Sequence, residues 1–125
     1  MIIIARNLKL EIAHFLPSVP AGHKCGRMHG HNLTVELRCE GEPDEETGWV
    51  VDYYDVTRAW EARVFAVLDH RLLNEVEGLE NPTTEVLAPF IARMLLDRLS
   101  LLEEVTVYES STTSALRRSS TPAAP

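Results

Sequence analysis

The stretch HNLTVELRCE, His31 to Glu40, alternates without a break. His31, Leu33, Val35, Leu37 and Cys39 share one parity; Asn32, Thr34, Glu36 and Arg38 take the other. A period of two marks a strand that buries one face, so the spacing predicts a strand over 31–40. Upstream, MIIIARNLKLEIAHF predicts another over 2–14, with Leu8, Leu10, Ile12 and His14 on one parity and Lys9 and Glu11 on the other. Between them lies LPSVPAGHKCGRMHG (16–30), a loop rich in Pro and Gly. If the two strands pair across that loop, His14 and His31 come close.

Working outward, EGEPDEETGWV is an acidic turn that either closes a hairpin or leads into a helix. A helix is expected after Asp52 or Asp55, either of which can cap it. Its apolar stripe is Val56, Trp60, Val64, Val67 and Leu68, and it ends near LDHRLLN. A second helix follows Pro82, with Thr83 as N-cap and Glu85 in the first turn, where the dipole favours it. Its stripe is Val86, Leu87, Phe90, Ile91, Met94, Leu95 and Leu99, with Pro89 early enough to bend it cheaply. EVTVYES predicts a strand over 104–110 with Val105, Val107 and Glu109 on one face. A short strand follows at Ser114–Arg118, and 119–125 reads as a disordered tail. The order is β-β-α-α-β-β: an α+β domain over 1–118, one antiparallel sheet with two helices on one face. The other face of such a sheet must be accounted for, and oligomerisation is a common answer.

The chain has 125 residues, enough for one domain with a real core and no disulfide staples. Its two cysteines, Cys25 and Cys39, make no disulfide framework. A formal net charge of −7 argues against a nucleic-acid binder that works through the phosphate backbone. A small anionic ligand stays open, because local fields can oppose the global one. No run of eighteen apolar residues predicts a membrane span. The apolar start lacks a basic n-region and a cleavage site, so it reads as a strand, with the cytoplasm as the default location.

The chemistry concentrates in GHKCGRMHGHN (22–32), which holds three of the five histidines, one cysteine and three glycines. In an extended segment His29 and His31 point the same way and can grip one metal, and Gly30 leaves room between them. Adding His14 gives three imidazoles with an open fourth position, the pattern of a catalytic rather than a structural zinc site. The plain alternative is a set of hydrogen-bonded histidines. Cys25 sits among Lys24, Arg27 and these histidines, neighbours that favour a thiolate. It reads either as a further core or ligand position or as a nucleophile or base. Cys39 reads as a buried, inert thiol. Asp69-His70 reads on its own as a histidine favoured by a helix C-terminus, or else as a proton carrier oriented by a carboxylate. Glu109 is either a strand-end carboxylate reaching solvent or an acceptor for two parallel N–H donors.

A strand ending in His, then C-x-x-x-H-G-H, LDHRLLN, ENPTTEVLA and VTVYES resemble the 6-pyruvoyl-tetrahydropterin synthase family over about residues 5–118. P-x-V-P-x-G-H-K-C-G-R-x-H-G-H and TGWVVDY resemble its bacterial branch, the 6-carboxy-5,6,7,8-tetrahydropterin synthases of queuosine (7-deazapurine) synthesis. The resemblance implies the T-fold, with sheets joined into an oligomeric barrel (trimers, often stacked to hexamers) and active sites at subunit interfaces. It implies Zn2+ held by His14, His29 and His31, Cys25 as catalytic cysteine, and Asp69 and His70 as proton-transfer pair. Glu109 would anchor the pterin, and Thr83 and Thr84 would edge the pocket. The implied substrate is 7,8-dihydroneopterin triphosphate, converted to 6-carboxytetrahydropterin, acetaldehyde and triphosphate. Lys24 and Arg27 are expected to balance the triphosphate, since the chain is otherwise acidic. Folate-pathway relatives carry glutamate in place of the cysteine; this chain has Cys25. The rivals are 6-pyruvoyl-tetrahydropterin synthase proper, a zinc-binding module without turnover, and a metal-free pterin aldolase.

Overall fold

A computed structural model describes residues 1–119. Strands β1 (Ile2–His14) and β2 (His29–Gly41) pair antiparallel over their whole length. The register sets Leu10 opposite Leu33, Ile12 opposite His31, and His14 opposite His29. β2 therefore starts two residues earlier than the alternation suggested. β4 (Leu102–Tyr108) pairs antiparallel with β2, and β5 (Ser114–Arg118) with β4. β4 stops one residue short of Glu109, where a 104–110 strand was expected.

One strand was not anticipated. β3 (Arg71–Leu72) runs parallel to Ile12–Ala13 of β1, giving the order β3-β1-β2-β4-β5. Two residues are too few for a periodicity to register. The pairing comes from how the turn at 69–70 docks on β1, which is tertiary information.

The first helix starts at Asp52, not Asp55: the Asp52 carboxylate accepts from the Tyr54 N–H at 2.9 Å. It runs as α1 (Tyr53–Trp60), a π-helical turn (Glu61–Phe65) and α2 (Ala66–Leu68). The π turn has a reading in the sequence. Val56, Trp60, Val64 and Leu68 recur every four residues, and on an α-helix that row drifts by about 40° per step. A wider turn unwinds part of the drift and keeps all four on the core, where each is at most 2% exposed. Val67 is off this row and 41% exposed, so it leaves the expected stripe.

The second long helix, α3 (Thr84–Leu95), is capped as expected: Thr83 Oγ1 accepts from the Val86 N–H at 3.2 Å. Leu87, Ile91 and Leu95 are buried, and Val86, Phe90 and Met94 pack at the margin. These helices cover the face of the sheet that carries Leu8, Leu10, Ile12, Leu33, Val35, Leu37, Val105 and Val107, and together they form one core. The opposite face presents Asn7, Lys9, Glu11, Asn32, Thr34 and Glu36. It is polar, and such a face can stand against water. What the chain leaves open is hydrogen-bonding edge: β3 meets β1 only at Ile12–Ala13, and β5 has no outer strand among the described residues. Of the expected tail, Ser119 is fastened, its N–H donating to the Glu103 carbonyl at 2.8 Å; 120–125 lie outside the described residues.

Candidate active site

Antiparallel register builds the centre. His14 ends β1 and His29 begins β2 directly opposite, while His31 lies two residues further along the same face. The three ring centroids are 4.6 to 5.0 Å apart. One nitrogen from each ring lies within 4.8 Å of the others. Gly30 keeps the two strands close here, since a Cβ would stand 3.3 Å from the Ile12 carbonyl oxygen.

Backbone carbonyls orient two of the rings. His14 Nδ1 donates to the Pro82 carbonyl at 2.9 Å, and His29 Nδ1 to the Arg27 carbonyl at 2.6 Å. That leaves both Nε2 atoms as acceptors, and they face each other at 3.1 Å. Carbonyl partners of this kind are the usual outer shell of metal-bound histidine. Among the described residues His31 Nε2 is buried without a hydrogen-bond partner, the nearest charged oxygen being Glu109 Oε1 at 3.7 Å. An orphaned buried nitrogen is costly unless something binds it. Ligands about 2.0–2.1 Å from a tetrahedral zinc stand about 3.3 Å apart, close to the His14–His29 spacing. Burial pushes His14 below the ordinary imidazole value; the Pro82 bond opposes this, and His29 and His31 add to it. The neutral form is the one that ligates. The residues present therefore fit a Zn2+ ion.

Beside the cluster is a cleft of about 320 Å³ lined by Lys24, Cys25, His29, His31 and Glu109. Cys25 sits in a 3-10 turn (Lys24–Gly26) that His23 caps, its Nδ1 accepting from the Cys25 N–H at 3.0 Å. The Cys25 carbonyl accepts from the Leu16 N–H at 2.8 Å, which ties the loop back to its own start. Glu109 follows β4 in the parity of Val105 and Val107 but beyond the strand end, so its half-exposed carboxylate reaches the cleft and not the core. Cys39 is buried, and burial pushes its thiol up to about 11, as befits an inert core group.

The Asp69–His70 pair does not join this cleft. Asp69 Oδ2 accepts from His70 Nδ1 at 2.6 Å, and Asp69 Oδ1 from the Glu11 N–H at 3.0 Å. His70 Nε2 lies 3.3 Å from Glu11 Oε2. The Glu11 side chain has the opposite parity to His14, so the dyad stands on the sheet face away from the histidine cluster. His70 directly follows Asp69, the C-cap of α2, with φ of 57°, and its N–H is taken by the Glu11 carbonyl at 2.7 Å. Thr83 and Thr84 are occupied locally, Thr83 as cap and Thr84 Oγ1 donating to the Glu85 carboxylate at 2.8 Å. Arg27 lines a neighbouring cleft with His23 and Gly26, whereas Lys24 lines the cleft of Cys25.

Sequence reasoning missed three positioning groups. Two are the Pro82 and Arg27 carbonyls, and main-chain acceptors leave no trace in residue type. The third is Asn74, whose amide accepts from the Phe15 N–H at 3.0 Å and donates to the Phe15 carbonyl at 2.8 Å, fixing the chain just after His14. An asparagine closing LDHRLLN was its only signal.

Residues 3–119 match the family described as 6-pyruvoyl tetrahydropterin synthase. The chain is 33% identical over 120 residues to the 6-carboxy-5,6,7,8-tetrahydropterin synthase of Synechocystis sp., covering 92% of each. It is 38% identical over 95 residues to the 6-pyruvoyl tetrahydrobiopterin synthase of Drosophila melanogaster, covering 70% of this chain and 56% of that one. The solved structure of Caenorhabditis elegans 6-pyruvoyl tetrahydropterin synthase superposes with a TM-score of 0.86 over 95% of this chain and 96% of the other, at 24% identity. The α+β architecture is thus the T-fold that the sequence resemblance implied. The sheet of the single chain is open.

Proposed function

The chain belongs to the 6-pyruvoyl tetrahydropterin synthase family, and we propose that it is a zinc-dependent 6-carboxy-5,6,7,8-tetrahydropterin synthase. The substrates in this reading are 7,8-dihydroneopterin triphosphate and water, and the products are 6-carboxytetrahydropterin, acetaldehyde and triphosphate. The observation that carries it is the three-histidine cluster, with its unpartnered His31 Nε2, opening on a cleft that also holds Cys25 and Glu109. A bare zinc-binding module would have no use for a cysteine and a carboxylate at that position.

His14, His29 and His31 would hold the ion. Bound there, Zn2+ would supply Lewis acidity to the hydroxylated side chain of the substrate. Glu109 accepts two parallel N–H groups of the pterin ring, the geometry a carboxylate recognises. Cys25 takes a carbon-bound proton as general base. Lys24, in the same cleft, balances triphosphate charge, with Arg27 contributing from the adjoining one. Asp69 orients His70, which moves protons. Because that dyad stands on the other face of the sheet, a second copy of the chain must bring it to Cys25. The open strand edges support such assembly, as a trimer or a hexamer, because unpaired edges recruit further strands. The reading places the enzyme in the cytoplasm and in queuosine (7-deazapurine) synthesis.

The second reading, 6-pyruvoyl-tetrahydropterin synthase, is favoured by the Drosophila likeness and uses the same residues. Incubating zinc-loaded protein with 7,8-dihydroneopterin triphosphate and resolving products by mass spectrometry, with aldehyde trapping, separates the two. Acetaldehyde with 6-carboxytetrahydropterin is the expected result. A pyruvoyl product without aldehyde selects the second reading. Stoichiometric zinc with no turnover sinks both.

A further inference from the structure

One charged side chain stays outside this scheme although it touches its proton carrier. Glu11 meets the Asp69–His70 turn at three points. Its N–H donates to Asp69 Oδ1 at 3.0 Å, its carbonyl accepts from the His70 N–H at 2.7 Å, and its carboxylate lies 3.3 Å from His70 Nε2. The first two follow from antiparallel geometry. A residue's N–H and C=O point to the same side of a strand, and in alternate pairs they point away from the partner. At Glu11 they turn from β2 toward the 69–70 turn. His70 has φ of 57°, a left-handed conformation that costs a non-glycine residue about 1 kcal/mol or more and persists only where neighbours enforce it. The Glu11 carbonyl is one of the groups enforcing it.

We propose that Glu11 is a positioning residue for His70: with Nδ1 engaged by Asp69, the Glu11 carboxylate holds the Nε2 end and fixes the ring in the plane from which it works. The inference rests on the proposed role of His70 and extends it to a residue the pterin chemistry does not itself require. The charged groups facing the ring are Asp69 on its own turn and Glu11 on β1. Arg71 of β3 lines the same cleft, and β2 contributes the uncharged Asn32 and the titratable His31 to it. Asp69, by hydrogen bond and charge, pushes His70 above the ordinary imidazole value; desolvation opposes it, and the Glu11 charge adds the smallest upward push. Two carboxylates on one ring thus favour the doubly protonated form, the form that can give a proton.

The test is an NMR titration of the full chain labelled with 13C-histidine, the His70 signal being assigned from its loss in His70→Asn. In Glu11→Gln, which retains both main-chain bonds, the His70 midpoint falls. Glu11→Asp keeps the charge one methylene further back, and its midpoint lies between the two. A His70 midpoint unchanged in both variants overturns the proposal. Turnover adds an independent readout: Glu11→Gln loses about two- to fivefold in kcat with KM held, the scale of one exposed ion pair. Wild-type protein that turns nothing over but shows the midpoint shift would remove the pterin reading and leave the Glu11–His70 coupling standing. Active wild type with no shift in either variant would remove the coupling alone.

Discussion

If His14, His29 and His31 hold Zn2+ as proposed, removing the ion perturbs the centre without touching the core, and the effect can be sized. An ion that binds the folded chain at one hundred times its dissociation constant stabilises it by about 2.7 kcal/mol. A chain of 125 residues unfolds with an entropy of about 0.26 kcal/mol/K, so that stabilisation raises Tm by about 10 °C. The control variant follows from burial. His14 is 3% exposed, so truncating it would damage packing as well as ligation. His29 is partly buried and, among the described residues, hydrogen-bonds to Arg27 and His14, so His29→Ala deletes a proposed ligand with little loss of core. Calorimetry on chelator-stripped and zinc-loaded protein, at fixed protein concentration, should show the rise in wild type. In His29→Ala the rise should nearly vanish, and bound zinc should fall from one per chain. An equal rise in both proteins would refute the three-histidine centre, because the stabilising ion would then sit elsewhere.

Two further outcomes are expected. Iodoacetamide at pH 8 should add no more than one label per folded chain, at Cys25, because Cys39 is buried with its thiol pushed up to about 11; two labels on the intact mass would refute this. The Asp69→Asn cost in Tm should peak in mildly acid solution. His70 is raised chiefly by its bond to Asp69, so its contribution is full below the ordinary histidine value and is lost as pH rises through the raised one. For Asp69, partial burial pushes upward, but the Glu11 N–H and His70 prevail and hold it low. Its contribution is present above the ordinary 3.8 and lost as pH falls through the lowered value. A Tm difference that keeps growing from pH 6 to pH 9 would contradict this pairing.

Alternation in 31–40 and 2–14 made two strands legible, because each buries one face and parity records which. From those faces the His14–His31 approach followed, and the pairing places Ile12 opposite His31 and His14 opposite His29. Thr83 was legible because a cap is written in residue type. What escaped reading was decided by main-chain geometry: the two-residue β3, the Pro82 and Arg27 carbonyls, and the left-handed turn at His70. Val67 was misread for a related reason. An ideal helix of 3.6 residues per turn places it beside Val64 and Leu68, whereas the π turn re-phases the row and turns it outward.

The separation of the two half-sites across the sheet makes a demand on assembly that can be counted. Cys25 and the three histidines open on one face, and Asp69 and His70 stand on the other. If both act in one reaction, each active site takes Cys25 from one copy and His70 from another. Cys25→Ala and His70→Ala should then each be nearly inactive alone. Co-expressed in equal amounts, they should assemble at random into closed symmetric oligomers and form an intact site in about one quarter of the interfaces. Activity should therefore return to about a quarter of wild type, with every intact site built from the cysteine of one variant and the histidine of the other. Were each chain to work alone, every copy would carry one defect and mixing would restore nothing. Mixed oligomers verified by mass spectrometry, yet as inactive as either variant, would refute the shared site and return the dyad to a structural role at the edge of β1.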